Sequence, residues 1–412
     1  MGLDSFLIKQ GVDPWMARQR LKQLWNKWGW RLGRGAACTG AALFYGLLFV
    51  TPVGERSELL LRRLWYGIRG ERAVTAPVMM ARIDDAAYTR VNKAGVETFP
   101  REVLAEAVVR IADAGARMIF LDFILRKETT PEADDKLRQA LAHAPSVIGR
   151  TLQYKLETGP DGERIARRVE LKPRRPFQDA AKMTASLHVV VSHGVVEKIS
   201  LGPDDTLSDK SLVPLLGPLR TLVSPELEAP GWRDLINYYG GPFTIPSIGL
   251  MDVLDADEDE LVRYFKDRAV FVGITTQLGS GQGGSNDTFN VPVSGTRMFG
   301  VEIHATIAAN LLDGTWLRRS GPAVEVVVGA LLSFLLAFAL LTLRPIRAVG
   351  VLGLVSTAWL LMSYMLFFKV YYFIPGALLI VIVVPALIAL RLGVPAVIAR
   401  SSRSRPKNRG GW

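Results

Sequence analysis

Three carboxylates, an arginine and two threonines stand where a chain of this kind can hold a ligand. Asp84 and Asp85 close the apolar run Val78 to Ile83, Asp122 closes Met118 to Leu121, and Thr275 and Thr276 follow the run Ala269 to Gly273. Arg101 opens a helical stretch between the first two runs. Ligands of parallel α/β sheets bind beyond the carboxyl ends of the strands, so Asp84, Asp85, Arg101, Asp122, Thr275 and Thr276 make up a candidate polar pocket. A plainer reading stays open for each aspartate, because Asp side chains accept well from the free N–H groups of helix starts and turns. The same carboxylates could hold Mg²⁺ or Ca²⁺, or act as acid and base, but no Asp-rich calcium loop is present and their spacing favours neither. No catalytic residue, metal or cofactor is therefore expected, and the chain is not expected to be an enzyme.

Other reactive side chains offer less. The four histidines include no i, i+4 pair, so a zinc site is not expected. Glu302 and His304 lie two apart, which on one helix turns them to different sides. Both are assigned to helix-start hydrogen bonding and packing on a helix from Gly300 to Leu312 that could transmit a signal. Gly279, Gly281, Gly283 and Gly284 follow a strand but lack the Gly-Lys-Ser/Thr ending of a phosphate loop, and are read as a loop over the pocket mouth.

The elements that must position these residues are legible from periodicity. Val78 to Ile83, Met118 to Leu121 and Ala269 to Gly273 read as buried strands, and the stripe Leu104, Val108, Ile111, Ala112 reads as a helix begun at Pro100 and stopped by Gly115. Strand, helix, strand implies a mainly parallel sheet covered by helices. A helix is expected over 133–142, a hairpin around Gly159 to Gly162, strands at His188 to Val191, Val195 to Ile199 and Leu235 to Tyr239, and a helix over Glu258 to Phe265 capped by Asp257. The order of elements between 133 and 230 is left open.

Four apolar stretches are long enough to cross a bilayer: 35–53, 323–343, 348–368 and 370–390. Residues 1–34, which include an amphipathic segment after Asp13-Pro14, carry a net +5. The Arg344/Arg347 turn adds +2 and the tail 391–412 adds +6, against +11 for the whole chain. The remainder is slightly acidic, so the positive charge marks cytoplasmic flanks and not a nucleic-acid surface. Both termini are expected inside and residues 54–320 outside. The lone Cys38 lies in the first apolar stretch, which is read as a retained anchor, and leaves the outer domain without disulfides.

Ala81-Arg82-Ile83-Asp84-Asp85, Phe99-Pro100-Arg101, Ala114 to Arg117 with Ile119 to Asp122, Ile236 to Gly240, Val270 to Gly273 and Gly300 to Ala305 together resemble the second type of CHASE domain. That is the extracellular sensor associated with bacterial cyclases and histidine kinases. The arrangement of one span before and three after is similar too, whereas residues 153–230 match poorly. The resemblance implies an α/β extracytoplasmic sensor domain, four transmembrane helices, a bacterial inner-membrane location with the sensor in the periplasm, and a homodimer. A small-molecule or protein ligand is expected outside and lipid around the spans. Because only 22 residues follow the last expected span, the signal is expected to pass to a separate kinase, cyclase or phosphatase. The alternative is an accessory or scaffold subunit that uses the old sensor for partner binding.

Overall fold

The computed structural model describes residues 15, 19, 30–91, 99–158, 163–199, 215–276, 287–376 without 294 and 296, and 379–387 without 385. The chain divides into two compact units, one of residues 62–319 with 367–373 and one of the remainder.

The larger unit is built on a seven-stranded sheet. In chain order it comprises β1 (Val78–Ile83), α1 (Asp85–Arg90), α2 (Arg101–Asp113), β2 (Met118–Leu121), α3 (Pro131–His143), β3 (Ser146–Thr158), β4 (Arg164–Leu171), α4 (Arg175–Ala180) and β5 (Met183–Ser186). It continues with β6 (Val190–Ser192), β7 (Val195–Lys198), α5 (Leu216–Leu222), β8 (Ser247–Gly249), α6 (Leu250–Asp255), α7 (Glu258–Phe265), β9 (Ala269–Ile274) and α8 (Gly300–Asp313). The strand order is β4-β3-β2-β9-β1-β8, with β5 also paired to β3. Every pairing is parallel except β3 with β4. β9, the last strand of the sheet to be made, is inserted between β1 and β2.

β1, β2 and β9 are apolar almost throughout, as strands must be when helices cover both faces. Met79, Ala81, Ile119, Leu121, Val270 and Val272 pack on one side beneath α2, α3, α6 and α7. On the other side lies α8, whose residues from Gly300 through Leu311 are all buried. The helix comes close to the sheet at Gly273, where a Cβ would stand 2.5 Å from Cβ of Val301. Val301 is β-branched and cannot swing aside. Gly273→Ala is therefore expected to cost about 1–3 kcal/mol in chemical denaturation, and Val301→Ala in the same chain should restore little of it, because alanine keeps the Cβ that the new methyl meets.

Most sequence-level boundaries recur. α2 starts after Pro100 and ends at Gly115, which has φ +87, and Asp257 caps α7 by accepting from the Glu260 N–H at 2.7 Å. The expected helix over 133–142 spans Pro131–His143, and β3 and β4 form the expected antiparallel pair, although Gly159 to Gly162 lie outside the described residues. Leu235 to Tyr239 is not a strand. Leu235 makes isolated bridges to Lys198 and Leu317, Ile236 donates to the Glu197 carbonyl, and the Asn237 N–H donates to Asn310 Oδ1 at 2.7 Å. These backbone groups find scattered partners, so a sheet edge never forms there.

In the other unit, the Trp30–Phe49 helix packs on the Pro322–Thr342 helix through Cys38, Tyr45, Phe49, Leu336, Ala337 and Leu340. Gly329 admits the Tyr45 ring, since a Cβ there would stand 2.0 Å from Tyr45 Cζ. Among the described residues two helices are long and apolar enough to cross a membrane, Pro322–Thr342 and Pro345–Val370. These correspond to the expected spans 323–343 and 348–368. The expected first span, 35–53, does not run straight: its helix ends at Phe49 and a second begins at Pro52 with a bend of 79°, so it counts as a third span only if the bent pair is one. The expected span 370–390 is not one helix. After Val370 the chain turns through Tyr371, with φ +53, and Tyr372–Phe373 pairs with Arg318–Arg319. The Arg318 N–H donates to the Tyr371 carbonyl at 2.8 Å, and these strand-type bonds replace the helical ones. Part of 377–390 lies outside the described residues, as do the tail 391–412, the glycine-rich loop 277–286 and nearly all of the amphipathic N-terminal segment.

Candidate functional site

The six residues expected to form a pocket separate into two groups. Asp84 caps α1, accepting from the Ala87 N–H at 3.1 Å, and lies 3.9 Å from Arg82. Asp85 accepts from the Thr276 hydroxyl, and the Thr275 N–H donates to the Ile83 carbonyl at 2.9 Å. The Thr275 hydroxyl is buried and has no hydrogen bond among the described residues. Together these four lock the ends of β1 and β9 to α1. Asp84 thus takes a capping role and Asp85 holds Thr276, and neither is among the residues that line the cavity described next.

Asp122 and Arg101 do reach a cavity of about 970 Å³ at the carboxyl end of β2. Its walls include Phe99, Leu104, Phe123, Leu187, His188, Ile274 and Phe289, with Asp287, Gly300 and His304 beside Asp122. Arg101, only 2 % exposed, is committed elsewhere. It pairs with Asp134 of α3, donates to the Lys127 carbonyl and lies 4.8 Å above the Phe177 ring, so it clamps α2 to α3.

The floor of the cavity has a different character. The Asp122 N–H continues the sheet by donating to Val272 at 2.9 Å, while its side chain, 4 % exposed, turns inward. Burial alone pushes its carboxyl up to about 7. His304 Nε2 stands 4.0 Å from Asp122 Oδ1, too far for a hydrogen bond. Nor is the contact an ion pair, because burial drives the imidazole down to about 4 against the opposing pull of the Asp287 charge. The ring also meets the Leu187 carbonyl and lies edge-on to Phe120 at 5.7 Å between centroids. Asp287 is exposed over the residue as a whole, and its carboxyl lies over the first residue of α8: a Cβ on Gly300 would stand 2.5 Å from Asp287 Oδ2. Burial of that carboxyl and then the Asp122 charge push it up to about 6.

Glu302, two residues from His304, faces away from this floor. It accepts from the Thr244 N–H at 3.0 Å and from the neighbouring N–H groups of Phe243 and Ile245, pinning the segment before β8. Its role is thus hydrogen bonding near the helix start, while His304 belongs to the cavity. Asp287 had no signal of its own in the sequence beyond standing at the end of the glycine-rich loop. Among the described residues no group of three or more His, Cys, Asp or Glu is placed to share a metal ion.

No curated protein and no solved structure matches the chain. A family profile described as the CHASE2 domain matches residues 40–343. That range takes in the whole sheet, the cavity and the helices on both faces, and it covers well over half of the chain. The chain therefore belongs to the CHASE2 family of sensory extracellular domains.

Proposed function

We propose that this protein is a membrane-anchored receptor. Its α/β domain, held outside the cytoplasm, takes a small molecule into the cavity at the end of β2 and passes the bound state to a separate output protein. The observation that carries this reading is a buried floor at the carboxyl end of a parallel sheet, made by Asp122 just after β2 and by His304 on α8, which is buried from Gly300 through Leu311.

That helix also supports a route out of the cavity. α8 bears His304 near one end and Asn310 near the other, and Asn310 exchanges hydrogen bonds with the Asn237 backbone at 2.7 and 3.1 Å. The Asn237 side chain accepts from Arg69 at 2.6 Å, and Tyr66 donates to the Ile236 carbonyl at 2.8 Å. Arg69 and Tyr66 belong to the Pro52–Arg69 helix, which continues toward the first apolar segment. A ligand shifts this chain of contacts only if it prefers one of two arrangements. The Tyr372–Phe373 strand beside Arg318–Arg319 agrees with the charge pattern, which places the 366–373 turn outside and the Arg344/Arg347 turn inside.

The test is a thermal-shift screen of the full chain in lipid nanodiscs against a library of small polar metabolites, with Leu104→Trp as a variant that fills the cavity. At least one compound is expected to stabilise the wild type and leave Leu104→Trp unaffected. Asn310→Ala should keep that binding but abolish the accompanying change in inter-span cysteine cross-linking. A screen in which no compound distinguishes wild type from the filled cavity would leave the accessory-subunit reading in its place.

A further inference from the structure

We propose that the cavity floor receives the cationic nitrogen of an organic amine between the Asp122 and Asp287 carboxylates, with the apolar body of the ligand against Phe99, Phe123 and Phe289. This rests on the cavity being the ligand site and names the class of ligand.

The first observation is what Asp122 lacks. Its side chain is 4 % exposed and faces the cavity, yet no hydrogen bond from a described residue reaches it, and desolvation is the sole influence on its ionisation. Buried carboxylates in folded proteins are paired or hydrogen-bonded, because an isolated one loses its hydration without return. His304 cannot serve, at 4.0 Å. An ammonium brings a positive charge and up to three donors.

The second observation is that another carboxylate is placed beside the first. Gly300 makes room for the Asp287 carboxyl where any side chain would collide with it, and the Asp122 charge acts on Asp287 directly. Two carboxylates sharing a site repel unless a cation sits between them. The cations of the lining do not fill that role. Arg101 is bound to Asp134 and Lys127, while Arg126 and Lys127 are exposed and screened by solvent. A metal ion is disfavoured because the floor offers no convergent group of three ligands among the described residues. The aromatic walls suit both an apolar body and the cation itself.

The experiment is isothermal titration of the full chain in nanodiscs with phenethylamine, and with its neutral and anionic shape analogues 2-phenylethanol and 3-phenylpropionate. Phenethylamine is expected to bind more tightly than either analogue. Asp122→Asn should weaken it by about ten- to hundredfold, the worth of hydrogen bonds to a charged group. Asp287→Asn should weaken it as well, while both variants melt cooperatively. Should an uncharged or anionic analogue bind as well as the amine, and lose that binding in Leu104→Trp, the amine proposal is overturned and the cavity remains a ligand site. If Asp122→Asn binds phenethylamine unchanged, or none of the three probes binds, the amine proposal is likewise overturned. The cavity reading is then decided by the metabolite screen alone.

Discussion

Asp122→Asn should raise the melting temperature of the unliganded protein at pH 8 by on the order of 10 °C and by progressively less as the pH is lowered. In the folded chain this carboxyl ionises at about 7 instead of 3.8, because burial withholds water and no donor replaces it. The folded state therefore holds a proton that the unfolded state has released everywhere between those two values. Stability must fall as pH rises from about 4 to about 7 and then stay low. At about 1.4 kcal/mol per pKa unit, the deficit at pH 8 is on the order of 4 kcal/mol. Asparagine has nearly the same shape and no charge to bury, so it removes the deficit without opening a cavity.

His304 works in the opposite sense. Its folded pKa of about 4 lies below the ordinary 6.5, so it favours the folded state above 6.5 and disfavours it as pH falls toward 4. Its influence is shared by wild type and variant, whereas Asp287 feels the Asp122 charge, so the difference between their pH profiles reports Asp122 together with its effect on Asp287. Tryptophan-fluorescence melts of both proteins from pH 5 to 8 make the measurement. A gap between them that does not widen with pH would show that Asp122 is already ionised and partnered at neutral pH, and the basis for a cation at the floor would go with it.

Arg62→Met should destabilise the protein by about 3–5 kcal/mol, more than any other single charge removal in the larger unit. Arg62 and Glu197 are 1 % and 3 % exposed and share hydrogen bonds of 2.8 to 3.2 Å, with the guanidinium 4.9 Å above the Phe373 ring. Removing the arginine leaves the Glu197 carboxylate buried with no counter-charge, and that uncompensated charge is the source of the cost. Arg62→Met combined with Glu197→Leu replaces both charges with hydrocarbon and should recover most of the stability, as exchanges of buried ion pairs for packed apolar groups do. Urea denaturation of both single variants and the double variant gives the coupling energy directly. Independent effects, with no recovery in the double variant, would mean that the pair is not desolvated. The pair also ties the Pro52–Arg69 helix to β7 and to the 367–373 turn, so the double variant should fold and yet alter transmission from the cavity.

How far the fold could be read in advance depended on how local its determinants are. β1 and β2 were legible to the residue because strands buried on both faces are uninterrupted apolar runs, and α7 because Asp257 caps it from an adjacent position. Leu235 to Tyr239 misled, because an apolar run with aromatic residues reads as strand whether its backbone partners are a sheet or scattered side chains such as Asn310. The helix expected to run on from Val370 is interrupted for a related reason. Hydropathy registers the apolar content of Tyr371 to Gly376 but not the strand pairing that takes the chain out of the helix there.

By itself the sequence determined that this chain has an α/β domain of sensory type, that strand ends supply its polar residues, and that apolar helices flank it with positive charge gathered at their far ends. These follow from neighbours along the chain, where period and charge are read directly. Only the tertiary structure decided which strand ends meet in one cavity. Insertion of β9 between β1 and β2 sends Asp84, Asp85, Thr275 and Thr276 into a capping knot, and leaves Asp122 to face His304 and Asp287. Those three residues stand more than 160 positions apart at the extremes. Their perturbed ionisation comes first from burial, and for Asp287 and His304 also from a neighbouring charge, which belong to the folded core and not to any segment of it.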